Sequence, residues 1–162
     1  GLHASLHRHV PHARCAMHVH SIYATVLASL QDSRLPAIDQ NSAIFYNRQV
    51  IDESYGGLAL EEEGIRCAQL FQDPSIRTMI MGNHGVLIIG ETVAETFTRL
   101  YYFERAARNY ILALQTGRPL RELSHEVAEK TAQELAVCPE ADAAFLDEIK
   151  AILEVQESDF LN

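Results

Sequence analysis

The chain has 162 residues, 48% of them hydrophobic and 22% charged, which suits one soluble domain with a buried core. Its formal net charge of −9, with Lys and Arg scattered, argues against nucleic acid as a partner, because neutralising phosphates needs clustered cations. No segment approaches the roughly 18 apolar residues of a membrane span and no signal peptide opens the chain, so a membrane partner is excluded and the cytoplasm expected.

Leu2 to Val10 reads as a helix stopped by Pro11, with His3 and His7 four apart on one face. Arg14 to His20 is predicted as the first strand and Ser21 to Gln31 as a helix. Leu35-Pro36-Ala37-Ile38 is an extended connector, Ser42 to Phe45 a brief helix or turn, and Val50 to Asp52 a short strand. Tyr55-Gly56-Gly57 is a break, followed by an amphipathic helix from Leu60 to Phe71 that Asp73-Pro74 ends. Thr78 to Met81 and Val86 to Ile89 are apolar runs flanking Gly82-Asn83-His84-Gly85, which suits a tight antiparallel turn whose glycines allow unusual backbone angles. Thr92-Val93-Ala94-Glu95 is a capping box opening the longest helix, to about Thr116, on the order of 37 Å. Helices are then expected over His125–Val137 and Ala141–Val155, which divides the chain into a domain over 1–123 and a helical extension over 124–162. Strands mixed with helices, including one hairpin-like pair, predict an α/β fold with a mixed sheet layered by helices.

The chemistry concentrates in histidine. On a strand, residues i and i+2 share a face, so His18 and His20 present two imidazoles side by side, and His84 on the later turn supplies a third. Three neutral imidazoles suit a catalytic divalent metal with an open position. Two other settings of an HxH pair are set aside: the amidohydrolase barrel needs roughly 250 residues, and a cupin-type site expects a glutamate where Tyr23, Ala24, Thr25 and Val26 stand. Cys15, Cys67 and Cys138 are odd in number, widely spaced and in apolar contexts, and are expected to be buried free thiols in a reducing compartment.

His18-Val19-His20-Ser21 together with Met81-Gly82-Asn83-His84-Gly85-Val86-Leu87 resembles the class II aldolase/adducin family, nearest its bacterial adducin-like branch. Pro36-Ala37-Ile38-Asp39, Tyr55-Gly56-Gly57-Leu58-Ala59, Gly90 to Phe97 and Tyr101 to Ala107 extend the likeness, which covers about Gly1 to Leu123. The resemblance implies a three-layer α/β/α fold around a mostly antiparallel sheet. It implies a divalent metal on His18, His20 and His84, zinc first, with manganese, cobalt or iron as alternatives. It also implies a small-molecule substrate carried through an enolate or enediolate, and a homo-oligomer, a tetramer by preference. The family's N-terminal third, which holds a phosphate-binding loop and an acid/base glutamate, is expected to be missing, so no residue here takes that glutamate's role.

Two function classes follow. One is a metal-dependent lyase-type enzyme acting on a hydroxy-carbonyl or carboxylate compound by aldol cleavage, epimerisation or decarboxylation. The other is a non-catalytic adducin-like assembly or protein-binding module, and metal binding without turnover is a third possibility. Tyr23, one turn into its helix, is read either as a proton donor or as a core tyrosine. Asn83 either bonds the substrate or supports the turn. Glu104 and Arg105 are read as an ion pair or subunit contact, Glu61-Glu62-Glu63 as a solvated helix start, and His3, His7, His9, His12 and His125 as surface residues.

Overall fold

The computed structural model describes residues 1–57, 60–136 and 138–156. Its helices are α1 (Leu2–His9), α2 (Ile22–Ala28), α3 (Gln40–Ala43), α4 (Leu60–Leu70), α5 (Val93–Gln115), α6 (His125–Glu134) and α7 (Pro139–Gln156). Its strands are β1 (Cys15–Val19), β2 (Gln49–Asp52), β3 (Thr78–Met81) and β4 (Gly85–Gly90), and they form one sheet in the order β1-β4-β3-β2. The β1–β4 and β3–β4 pairs are antiparallel and β2–β3 is parallel, so the sheet is mixed and mostly antiparallel, as expected.

Every residue of β3 and β4 is buried, which is why both stretches read as unbroken apolar runs. The alternation of a strand survives in where each side chain goes. Ile80, Val86 and Ile88 pack with Ala24 and Leu27 of α2 and Phe103 and Ala107 of α5. Met79, Met81, Leu87 and Ile89 pack on the opposite face with Leu6 of α1 and Cys67 and Ala68 of α4. The result is the α/β/α layering. Phe45 and Phe103 meet edge to face with ring centroids 5.2 Å apart, a contact worth about 1 kcal/mol beyond area burial.

The C-terminal helices join this core by side chains of different kinds. Ala128 of α6 packs with Ala37 and Ala43, and Arg48 grips Glu129 through two hydrogen bonds of 2.9 and 2.7 Å. Phe145 of α7 sits among Phe97, Tyr101 and Tyr102 of α5, with centroids 5.0 to 6.1 Å away. Much of the length of α5 is therefore used within one chain.

Several boundaries differ from expectation for local reasons. The first strand ends at Val19, leaving His20 just past it. Helix α2 closes at Ala28, where the backbone tightens into three-residue bonds from Ser29 to Val26 and Leu30 to Leu27. Asp39 and Ser42 form a capping box, which moves the brief helix upstream to Gln40. Helix α7 starts two residues early because Pro139 has no N–H to lose at a first helical position. The predicted end of α6 at Val137 falls outside the described residues; the helix stops at Glu134. The three cysteines are free, but only Cys67 is buried; Cys15 is half-buried, and Cys138, in the surface connection before α7, is exposed. Among the described residues, no helix is long and apolar enough to cross a membrane.

Candidate metal centre

The sheet's directions decide where the chemistry gathers. Strand β4 runs antiparallel to both its neighbours and β2 runs parallel to β3, so β1, β2 and β3 all point the same way. Their C-terminal ends share one edge, the usual place for a ligand in an α/β sheet. Three segments leave that edge: His20-Ser21 after β1, Glu53 to Gly57 after β2, and Gly82-Asn83-His84 after β3. Register completes the placement: Val19 pairs with Val86, which sets His20 beside Gly85.

His18, His20 and His84 are brought together, with one ligating atom from each lying within 4.8 Å of the others. Their ring centroids are 4.7 to 4.8 Å apart. The Nδ1–H of His18 donates to the Val86 carbonyl at 3.0 Å, which leaves the Nε2 lone pair facing His20 Nε2, also at 3.0 Å. Burial lowers the pKa of His18; the neighbouring His84 and His20 push the same way, against the opposing hydrogen bond to Val86. Neutral imidazole is the form that binds a metal. Two imidazole nitrogens face to face and a third ring beside them are together a donor set that fits a divalent ion.

The Gly82 to Gly85 turn works differently from expectation. Asn83, not a glycine, takes the left-handed angle, with φ of 56°, a conformation that asparagine tolerates. The glycine at 85 serves close approach instead: a Cβ there would stand 2.4 Å from the Val19 carbonyl and 2.9 Å from the His20 ring. The Asn83 backbone N–H donates to Ala28 O at 2.8 Å, fastening the turn to the end of α2.

Two residues near the histidines were not singled out in the sequence. Tyr55, in the loop after β2, has its ring centroid 5.2 Å from that of His84. Glu63 of α4 is only 5% exposed, so it does not belong to a solvated helix start, and its Oε1 lies 3.3 Å from His84 Nδ1. The signal was present: Glu63, Cys67 and Phe71 are spaced by four, which places Glu63 on the buried face of its helix.

Tyr23 is not brought among the histidines. It packs half-buried against the core with Arg108 over its ring at 5.7 Å, and it lines an open groove of about 560 Å³ with Tyr101, Glu104 and Arg105. Glu104 does not pair with Arg105. Its carboxylate accepts from Ser21 Oγ at 2.7 Å and from the backbone N–H groups of Tyr23 and Ala24, both at 2.9 Å. It thus caps α2 from across the layer and holds the residue next to His20. His7 is structural as well, its Nδ1 2.7 Å from Ala13 O, and His125, though exposed, meets the Tyr46 hydroxyl at 3.0 Å. Burial, with the Asp52 and Glu63 carboxylates nearby, pushes the Cys67 thiol up to about 12, so the free side chain is a neutral thiol at neutral pH.

Residues 1–111 match the family described as Class II Aldolase and Adducin N-terminal domain. The decarboxylase NovR of Streptomyces niveus is 25% identical over 135 residues, covering 83% of this chain and 48% of that protein. A putative aldolase class 2 protein of Caulobacter vibrioides is 31% identical over 130 residues, covering 79% of this chain and 49% of that protein. The chain thus spans about half the length of these relatives. An aldolase II superfamily protein from Pseudomonas syringae shares the fold, with a TM-score of 0.85 at 24% identity over 99% of this chain and 64% of that one. On the match over residues 1–111, the chain belongs to the class II aldolase/adducin family.

Proposed function

We propose that this protein is a divalent-metal-dependent lyase-type enzyme acting on a small hydroxy-carbonyl or carboxylate compound. The observation that carries the reading is the convergence of His18, His20 and His84 at the edge where the parallel strands end. Imidazole donors favour zinc, with manganese, cobalt and iron as the other ions of suitable coordination. When bound, such an ion supplies positive charge that polarises a substrate carbonyl and favours the enolate beside it.

The chain's own residues do the rest. Val86 O holds the His18 ring in one tautomer, and Glu104 steadies the segment after His20. Asn83, exposed beside His84, is assigned to hydrogen-bond the substrate. Tyr55 rather than Tyr23 is assigned as proton donor, because its ring stands against His84 whereas Tyr23 faces Arg108. Aldol cleavage, epimerisation and decarboxylation share charge on a carbon next to a carbonyl, and relatives named as an aldolase and a decarboxylase support keeping all three open. A cytoplasmic location is supported by the three free cysteines, and a homo-oligomer, a tetramer by preference, by the exposure of Ile22, Val26, Tyr101 and Leu112 on α2 and α5.

The test strips the protein with a chelator, reloads it with zinc, and follows deuterium exchange next to the carbonyl in a panel of hydroxy ketones, hydroxy acids and keto acids by NMR. One ion per chain with metal-dependent exchange is expected, on a species whose mass by light scattering exceeds a monomer. No ion uptake would end the metal reading. Full uptake with no exchange on any compound would favour the non-catalytic adducin-like module.

A further inference from the structure

We infer that Glu63 is a positioning residue of the candidate metal centre, holding the His84 imidazole so that its second nitrogen is presented to a divalent ion. This rests on the metal reading above and adds to it a residue on a different element, α4.

Three observations carry the inference. First, Glu63 is a buried carboxylate, 5% exposed, and a buried charge is stable only when an opposite charge or strong donors face it. The Arg66 guanidinium, on the same helix, is already committed: it gives its Nε to Asp52 Oδ1 and its Nη2 to Asp52 Oδ2, both at 2.9 Å. Second, the group that does face Glu63 is His84, Nδ1 to Oε1 at 3.3 Å, and that Nδ1 is buried without a hydrogen bond. A buried nitrogen without a partner and a buried carboxylate therefore face each other within hydrogen-bond distance. Third, α4 cannot roll to turn Glu63 away. At the adjoining Gly64 a Cβ would lie 2.8 Å from Ser5 Cβ, so α1 sits directly on the helix at that point. Cys67 and Phe71, four and eight residues on, are fully buried on the same face.

With Nδ1–H engaged by the carboxylate, Nε2 is the nitrogen left with a lone pair for a ligand. The pair has the form of a carboxylate–histidine–metal relay, in which the outer carboxylate fixes the ring and raises its donor strength. It also brings a carboxylate beside the three imidazoles, a group whose charge would offset that of a divalent ion. His18 is oriented by a different device, the Val86 carbonyl, so two of the three rings have their outer nitrogen assigned from the protein.

The test measures zinc affinity by competition with a chromophoric chelator, and the visible spectrum of the cobalt-loaded protein, for wild type, Glu63→Gln and Glu63→Ala. Glu63→Gln keeps the volume and removes the charge; it is expected to weaken zinc about 10-fold, and Glu63→Ala up to about 100-fold. The cobalt bands should shift in both while the metal-free fold, followed by circular dichroism, stays intact. If Glu63→Ala does not fold, the isosteric Gln variant decides. Zinc affinity within twofold of wild type and an unchanged cobalt spectrum in Glu63→Gln would overturn the inference and leave the metal reading standing. Failure of the wild type itself to take up either ion would overturn both.

Discussion

Alanine at position 84 is expected to lower zinc affinity by about 10²- to 10³-fold and to destabilise the metal-free fold by about 1–3 kcal/mol. Zinc sites of four protein ligands are worth about 10–16 kcal/mol, so one ligand of a comparable set contributes roughly 3–4 kcal/mol. The turn itself is kept, because the backbone N–H of residue 84 still reaches Met81 O at 2.9 Å; the stability loss comes from the buried Glu63 carboxylate, which then faces no imidazole. His18→Ala should cost the same in affinity and a similar amount in stability, because the Val86 carbonyl then loses the Nδ1–H that meets it at 3.0 Å. Chelator competition and urea denaturation on the two variants separate these effects. Wild-type affinity in His84→Ala would remove that ring from the ligand set.

Gly85→Ala is expected to destabilise the fold by about 3 kcal/mol and to weaken metal binding at the same time. The cause is contact rather than backbone angle, since Gly85 is not among the residues of positive φ. A Cβ would meet the Val19 carbonyl at 2.4 Å, so the β1–β4 pairing must open at its last rung. It would also press on the His20 ring at 2.9 Å, in the position from which that ring meets His18. Gly56→Ala is the control: nothing lies within 4 Å of a Cβ there, and its stability should match wild type within about 0.5 kcal/mol. Equal denaturation midpoints for the two variants would show that the turn adjusts and that the close approach is not required.

The histidine set was legible because it rests on short-range geometry. His18 and His20 share a face through the strand period of two, and His84 stands in a turn marked by flanking glycines and apolar runs. The order of strand-like and helical segments predicted the mixed sheet, and the resemblance carried by those same residues added the three layers and the mostly antiparallel pairing. Glu63 was not legible, because three consecutive glutamates look like a solvated first turn until the phase of Cys67 and Phe71 is applied to them. Tyr23 stood close to the histidines in sequence, yet the helix that carries it turns its ring toward α5. Glu104, eighty residues from the backbone groups it caps, offers no local sign of that contact.

The sequence by itself determined which segments form strands, which histidines are candidates for a shared site, and where the chain must turn, since each depends on neighbours within a few positions. Only the tertiary structure decided that three strand ends share one edge, that a carboxylate from α4 and a phenol from the β2 loop stand against the third imidazole, and that Gly85 must lack a side chain. Those facts come from the packing of segments far apart in the chain, which no local periodicity encodes.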